Sequence, residues 1–132
     1  MKKQAEEWLK FANADLLTIK QIIDNKDLTQ MAAFHGQQCV EKSFKAIIEL
    51  FDQKVPRIHD LRKLYHAVKE LNLKIDIDID ILDQLNQVYI DTRYPADFGI
   101  LPDGIPSVKK AEEFLLLAED VFSQIKEIIG SA

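Results

Sequence analysis

The sequence predicts an all-α protein, an up-and-down four-helix bundle with an additional short helix. Three observations predict it. Apolar residues recur with a helical period in four long segments. The connections between most of them are short, which favours antiparallel neighbours. One segment alternates as a strand would, yet no second strand exists for it to pair with. At 132 residues the chain is expected to form one domain over 1–132, because two halves would each be small for a stable core.

The first helix is expected over 4–24, where Trp8, Ala12, Ile19, Ile22 and Ile23 fall on one face. Asn25 and Asp27 mark a break. A second helix over 30–53 carries Ala33, Val40, Phe44, Ile47 and Phe51 as its stripe. Gly36 lies close to that stripe, where a missing side chain lets a neighbouring helix approach. Pro56 interrupts the next stretch. His59 or Asp60 can then cap a short helix with the stripe Leu61, Leu64, Tyr65, Val68 and Leu71.

Residues 72–81, NLKIDIDIDI, alternate apolar and polar. Without a partner strand they read as an extended connector ending in Asp78 or Asp80 as a helix cap. A further helix over 80–93 would turn Leu82, Leu85 and Tyr89 inward. Residues 93–106 hold three of the four prolines and two of the four glycines, a long loop of the kind that is usually functional or partner-facing. Ser107 caps a last helix to about residue 129, with the stripe Ala111, Leu115, Ala118, Phe122, Ile125 and Ile129.

Composition narrows the function classes. With 47% hydrophobic and 30% charged residues the chain is too apolar for a disordered one. No apolar run reaches the roughly 18 residues of a membrane span. MKKQAEEWLKFANAD reads as a helix start and not a signal peptide. The single Cys39 excludes an internal disulfide framework and most Cys-based zinc sites. A cytoplasmic protein without membrane contact is expected. Seventeen Lys+Arg against 22 Asp+Glu give a net charge of −5, which argues against binding nucleic acid by bulk charge. The charge is uneven: residues 1–69 hold 12 basic against 9 acidic side chains, residues 70–132 only 5 against 13. One face can therefore be locally basic.

No Gly-rich phosphate loop, zinc-protease motif or nucleophile elbow is present. His35, His59 and His66 lack metal-like spacing, so neither a metal nor a cofactor is expected, and His59 reads as a capping or simply exposed residue. Polar residues inside apolar stripes are more informative. Asp15 lies among Trp8, Ala12, Ile19 and Ile22. Asn86 and Arg93 share a face with Leu82 and Tyr89. Glu41 and Lys45 are one turn apart, beside Phe34 and Ile48. A buried carboxylate is costly unless a cation pairs with it, so Asp15 and Glu41 are expected to meet Arg93 or Lys45. Two readings stay open: a structural polar layer that sets helix register, or a cationic phosphate site built on the arginine fork.

Between 42 and 69 the basic residues Lys42, Lys45, Lys54, Arg57, Arg62, Lys63 and Lys69 outnumber Glu49, Asp52 and Asp60. Such a patch either guides an RNA or nucleotide phosphate or forms a solvated face. No interleaved aromatics support a single-strand platform.

Four segments together resemble the HEPN family (higher eukaryotes and prokaryotes nucleotide-binding): WLKFANADLL at 8–17, FHGQQCVEKSFKAII at 34–48, IHDLRKL at 58–64 and VYIDTRYP at 88–95. The resemblance implies an up-and-down helical bundle and a homodimer. It also implies a nucleotide-binding or partner subunit that acts with a minimal nucleotidyltransferase, in some cases as a toxin–antitoxin pair. Other HEPN proteins are metal-independent ribonucleases with an Arg followed after four to six residues by His, and sometimes an upstream Glu-x3-Lys. Here Glu41 and Lys45 match Glu-x3-Lys and Arg93 matches the Arg. The His is missing, since 98, 99 and 100 are Phe, Gly and Ile. Some nucleotidyltransferase partners carry a Tyr six residues after the Arg, and that position is Gly99. RNA cleavage needs a proton-transfer group near neutral pH, usually His, and Arg cannot replace it. The preferred reading is therefore a binding or partner subunit, with Arg93, Lys45, Glu41, Asp15 and Asn86 as phosphate-site candidates and Lys42, Lys54, Arg57, Arg62 and Lys63 as the basic patch. A ribonuclease and a purely structural bundle dimer are the alternatives. Phe34, Ile48, Phe114, Val121 and Ile128, on the shoulders of their helices, are the expected dimer surface.

Overall fold

Helical periodicity becomes five helices in the computed structural model, which describes residues 2–51, 53–88 and 104–132. They are α1 (Lys2–Ile22), α2 (Thr29–Leu50), α3 (Leu61–Lys69), α4 (Ile79–Asn86) and α5 (Val108–Gly130), with a single 3-10 turn at Lys26–Leu28. The fold class is all-α, and no strand occurs among the described residues.

Helix α2 is the centre, packed against α1, α5, α3 and α4. Its Ala33, Val40, Phe44 and Ile47 are fully buried. Burying an aliphatic or aromatic side chain of this size stabilises by roughly 1.5–3 kcal/mol, so this stripe is the main driving force for docking the other helices. Helix α1 runs antiparallel to α5: Lys2 Nζ donates to the Ala132 carbonyl at 2.9 Å, while Lys20 lies 3.4 Å from Glu119. Gly36 sits where α4 and α5 approach α2, with Leu85 and Phe114 as its nearest side chains.

Caps set most helix starts. Asp60 accepts from the N–H groups of Arg62 and Lys63, Asp78 from Ile81, and Ser107 from Lys110. Asn25 accepts from the Asp27 N–H at the α1–α2 break. Asn72, with φ 59°, takes the left-handed conformation that ends the α3 turn.

The alternating segment is an extended connector. Ile75 and Ile77 face the core while Lys74, Asp76 and Asp78 face solvent. Gln124 of α5 satisfies both backbone groups of Asp76, accepting from its N–H at 3.0 Å and donating to its carbonyl at 2.7 Å. Tyr65 adds a hydrogen bond to the Ile75 carbonyl. One amide side chain thus supplies what a partner strand would supply.

Three expectations need correction. The second helix ends at Leu50, and Phe51 is 41% exposed at its C-cap, outside the buried stripe. The helix expected over 80–93 ends at Asn86, where the Gln87 N–H bonds back to the Gln84 and Leu85 carbonyls and closes the last turn. Tyr89, Arg93 and the segment expected to be a loop, as far as residue 103, lie outside the described residues. Phe114, Val121 and Ile48, expected on a dimer surface, are buried within the single chain, Phe114 and Val121 completely. The apolar faces of α2 and α5 are wider than one stripe because α2 has helices on several sides.

Candidate functional site

Two carboxylates buried against α2 organise the polar interior. Asp15 on α1 accepts from Lys42 Nζ at 2.8 Å and from His35 Nδ1 at 2.8 Å, both on α2. The partners stand two turns apart on one face of α2, so a single carboxylate of α1 bridges them. Glu41 on α2 carries the second cluster. Its Oε2 accepts from Lys45 Nζ at 3.0 Å. Its Oε1 accepts from His59 Nδ1 at 2.9 Å and from Gln37 Nε2 at 3.3 Å. Gln37 also donates to the His59 carbonyl at 3.1 Å, so one amide holds both the carboxylate and the segment that carries the imidazole. Lys45 Nζ lies 5.8 Å from the centre of the Trp8 ring.

Exposure separates the two histidines. The Glu41 and Lys45 side chains are 6% and 7% exposed, whereas His59 is 77% exposed. His35 is only 22% exposed. The Glu41 pair is therefore interior, with an imidazole at its solvent end.

Beside His59, Asp60 and Asn86 join α3 to α4. Asn86 accepts from the Leu61 N–H at 2.7 Å and donates to Asp60 at 3.1 Å. Partial burial pushes the Asp60 carboxyl up. Hydrogen bonds from the Lys63 N–H, the Asn86 amide and the Arg62 N–H outweigh that and hold it below 3.8. Burial, reinforced by the charge of Asp15, pushes the Cys39 thiol up to about 12, which makes it inert as a nucleophile at neutral pH. Among the described residues no group of His, Cys, Asp and Glu is arranged to hold a metal ion.

The HEPN domain profile matches residues 5–128, nearly the whole chain. The chain belongs to the HEPN family. The crystal structure of an archaeal HEPN homologue is similar, with 25% sequence identity and a TM-score of 0.67 over 95% of this chain and 97% of that one. A search of curated proteins found no match.

In this HEPN chain the Glu-x3-Lys residues, Glu41 and Lys45, do meet. Asp15 does not meet Lys45. It meets Lys42, which the sequence reading places in the basic patch, and His35, which that reading leaves without a partner. The reason is register: α1 crosses α2 with Asp15 opposite the face that carries residues 35 and 42. Arg93 lies outside the described residues. Asn86 is engaged at the α3 cap, through Oδ1 with Leu61 and through Nδ2 with Asp60. Arg62 is held by Asp83, with Nη1 2.9 Å from both carboxylate oxygens, so it too leaves the patch as a free charge. Lys54, Arg57 and Lys63 are exposed and form no ion pair among the described residues. Sequence reasoning gave His59 a capping or exposed role and did not find its contact with Glu41. The IHDL string and the Glu-x3-Lys motif were both visible, but nothing local says that residues 18 positions apart touch.

Proposed function

We propose that this HEPN protein is a nucleotide- or RNA-phosphate-binding subunit that acts with a minimal nucleotidyltransferase, as a cytoplasmic homodimer and in a toxin–antitoxin arrangement. The observation that carries the reading is the Glu41–Lys45 pair, buried in the bundle and ending at the surface in His59. Arg57 and Lys63 stand exposed two residues before and four residues after that histidine. A buried ion pair is a poor source of stability compared with apolar packing, so retaining one favours a role in positioning charge. Arg93, which matches the family arginine, adds a guanidinium fork suited to phosphate.

The test compares Arg93→Ala with Arg62→Ala in titrations with a mononucleotide and a short RNA. Arg62 is engaged by Asp83 and serves as the control. Arg93→Ala is expected to weaken binding more, and Arg93→Lys to rescue it only in part. Equal binding by both Ala variants, or none by the wild type, overturns the reading. Co-purification with a co-expressed minimal nucleotidyltransferase tests the partner role.

A metal-independent ribonuclease is the second reading. One observation favours it: His59, oriented by Glu41, offers an imidazole, whereas the sequence has Phe98, Gly99 and Ile100 at the family's histidine positions. Cleaved RNA and growth arrest on expression would support it.

A further inference from the structure

Lys45 already neutralises the buried Glu41 carboxylate, so the bond to His59 is not needed to compensate its charge. What the bond does is orient a ring that is otherwise in water. Glu41 accepts from Lys45 and Gln37, and as a carboxylate it can only accept from the ring as well. Nδ1 therefore donates in either charge state. That leaves Nε2 with a lone pair when the ring is neutral and an N–H when it is protonated. Nε2 has no protein partner among the described residues.

A lone pair repels an oxyanion, and an N–H binds one with a charge-assisted hydrogen bond. We propose that His59, fixed on Glu41, is a proton-gated phosphate-binding residue at the α2–α3 connector, with Arg57 and Lys63 as flanking charges, and that ligand binding takes up one proton. The proposal rests on the nucleotide-binding reading and assigns it a residue and a pH dependence.

Among the described residues, Glu41 of α2 bonds the ring and itself carries Lys45, and Gln37 donates to the His59 carbonyl. Asp60, next in the chain, is occupied by the Arg62 and Lys63 N–H groups and by Asn86 of α4. Arg57 and Lys63 are exposed. Among these described groups two carboxylates stand against three cations, so protonating the imidazole doubles the net positive charge of the cluster.

The probe is a short oligouridylate without terminal phosphates, whose phosphodiesters do not titrate in this range. AMP is run beside it to separate a diester from a nucleotide source of the oxyanion. Binding to the full chain is titrated between about pH 5.5 and 8 at constant ionic strength. Calorimetry in two buffers of different ionisation enthalpy counts the protons taken up.

For the oligouridylate, wild-type affinity is expected to fall about tenfold per pH unit on the alkaline side, the signature of one linked proton. His59→Gln should flatten that dependence. Glu41→Gln should reduce it, because a neutral amide favours the protonated ring less than a carboxylate does. Arg57→Ala should weaken binding at every pH and lower the salt dependence. Thermal unfolding followed by circular dichroism confirms that each variant folds. Binding that is independent of pH in the wild type, or a pH slope retained by folded His59→Gln, overturns the proposal and leaves the nucleotide-binding reading standing. No binding of either probe at any pH overturns both. A tenfold slope with AMP alone, absent with oligouridylate, overturns it too, because the phosphate monoester then supplies the proton linkage.

Discussion

Glu41 puts three donors on one buried carboxylate, and the consequence of removing it follows from what remains. In Glu41→Ala the Lys45 ammonium stays in the interior without its counter-ion, and Gln37 and His59 lose an acceptor. An uncompensated buried charge of this kind costs about 3–5 kcal/mol. A urea midpoint unchanged from the wild type would contradict the assignment. The paired replacement Glu41→Leu with Lys45→Met should recover most of the loss, since a well-packed apolar pair of similar volume is near neutral. Asp60 gives a prediction of opposite character, in pH. Its folded carboxyl is held below 3.8, so the folded state binds fewer protons than the unfolded state in acid. The resulting stabilisation is present above the unfolded value and is lost as pH falls through the lower folded value. Wild type should therefore exceed Asp60→Asn in stability at neutral pH and lose that advantage below about pH 4, both residues being competent caps. Denaturation curves at several pH values check it.

At the scale of elements, α4 and α5 meet α2 over Gly36. A Cβ built there would stand 3.6 Å from Leu85 Cδ1 and 3.7 Å from Phe114 Cβ, ordinary van der Waals distances. Gly36→Ala should therefore stabilise by up to about 1 kcal/mol through helix propensity and a smaller unfolded-state entropy. Gly36→Leu has no room among Leu85 and Phe114, both fully buried, and should cost about 1–3 kcal/mol. Opposite shifts of the thermal midpoint for the two variants are the expected result. Element boundaries divide by their physical cause. The start at Ser107 was legible, and those at Asp60 and Asp78 were legible to within two residues, because a cap is a local hydrogen bond from one side chain to the next turn. The end of α4 at Asn86 was not. There the Asn86 side-chain Oδ1 accepts from the Leu61 N–H of another helix, a contact that periodicity along one segment does not encode.

For the whole molecule, the distribution of apolar surface bears on assembly. Phe114 and Val121 are consumed by the bundle, so they are not available to a partner. Among the described residues the large apolar side chains left exposed are Phe11, Leu17, Phe51, Ile105 and Leu116. A second copy of the chain covering some of them would form the proposed homodimer. Sedimentation at micromolar concentration should then show a species of twice 15.2 kDa, and a purely monomeric profile would remove the dimer. Among the described residues no helix is long and apolar enough to cross a membrane.

What the sequence by itself determined was the helical class, the central α2 stripe and the polar residues that interrupt apolar faces, together with the family strings. These are written in local period and in the cost of burying a charge. Glu41 with Lys45 belongs here as well, because residues one turn apart on a helix are neighbours whatever the tertiary fold. Only the tertiary structure decided that Asp15 takes Lys42 and His35, that Asp83 occupies Arg62, and that Gln124 completes the connector. The same holds for His59, which meets Glu41 only because the segment after α2 folds back along that helix. Such pairings depend on how helices cross, and the register of a crossing is set by the packing of both surfaces at once.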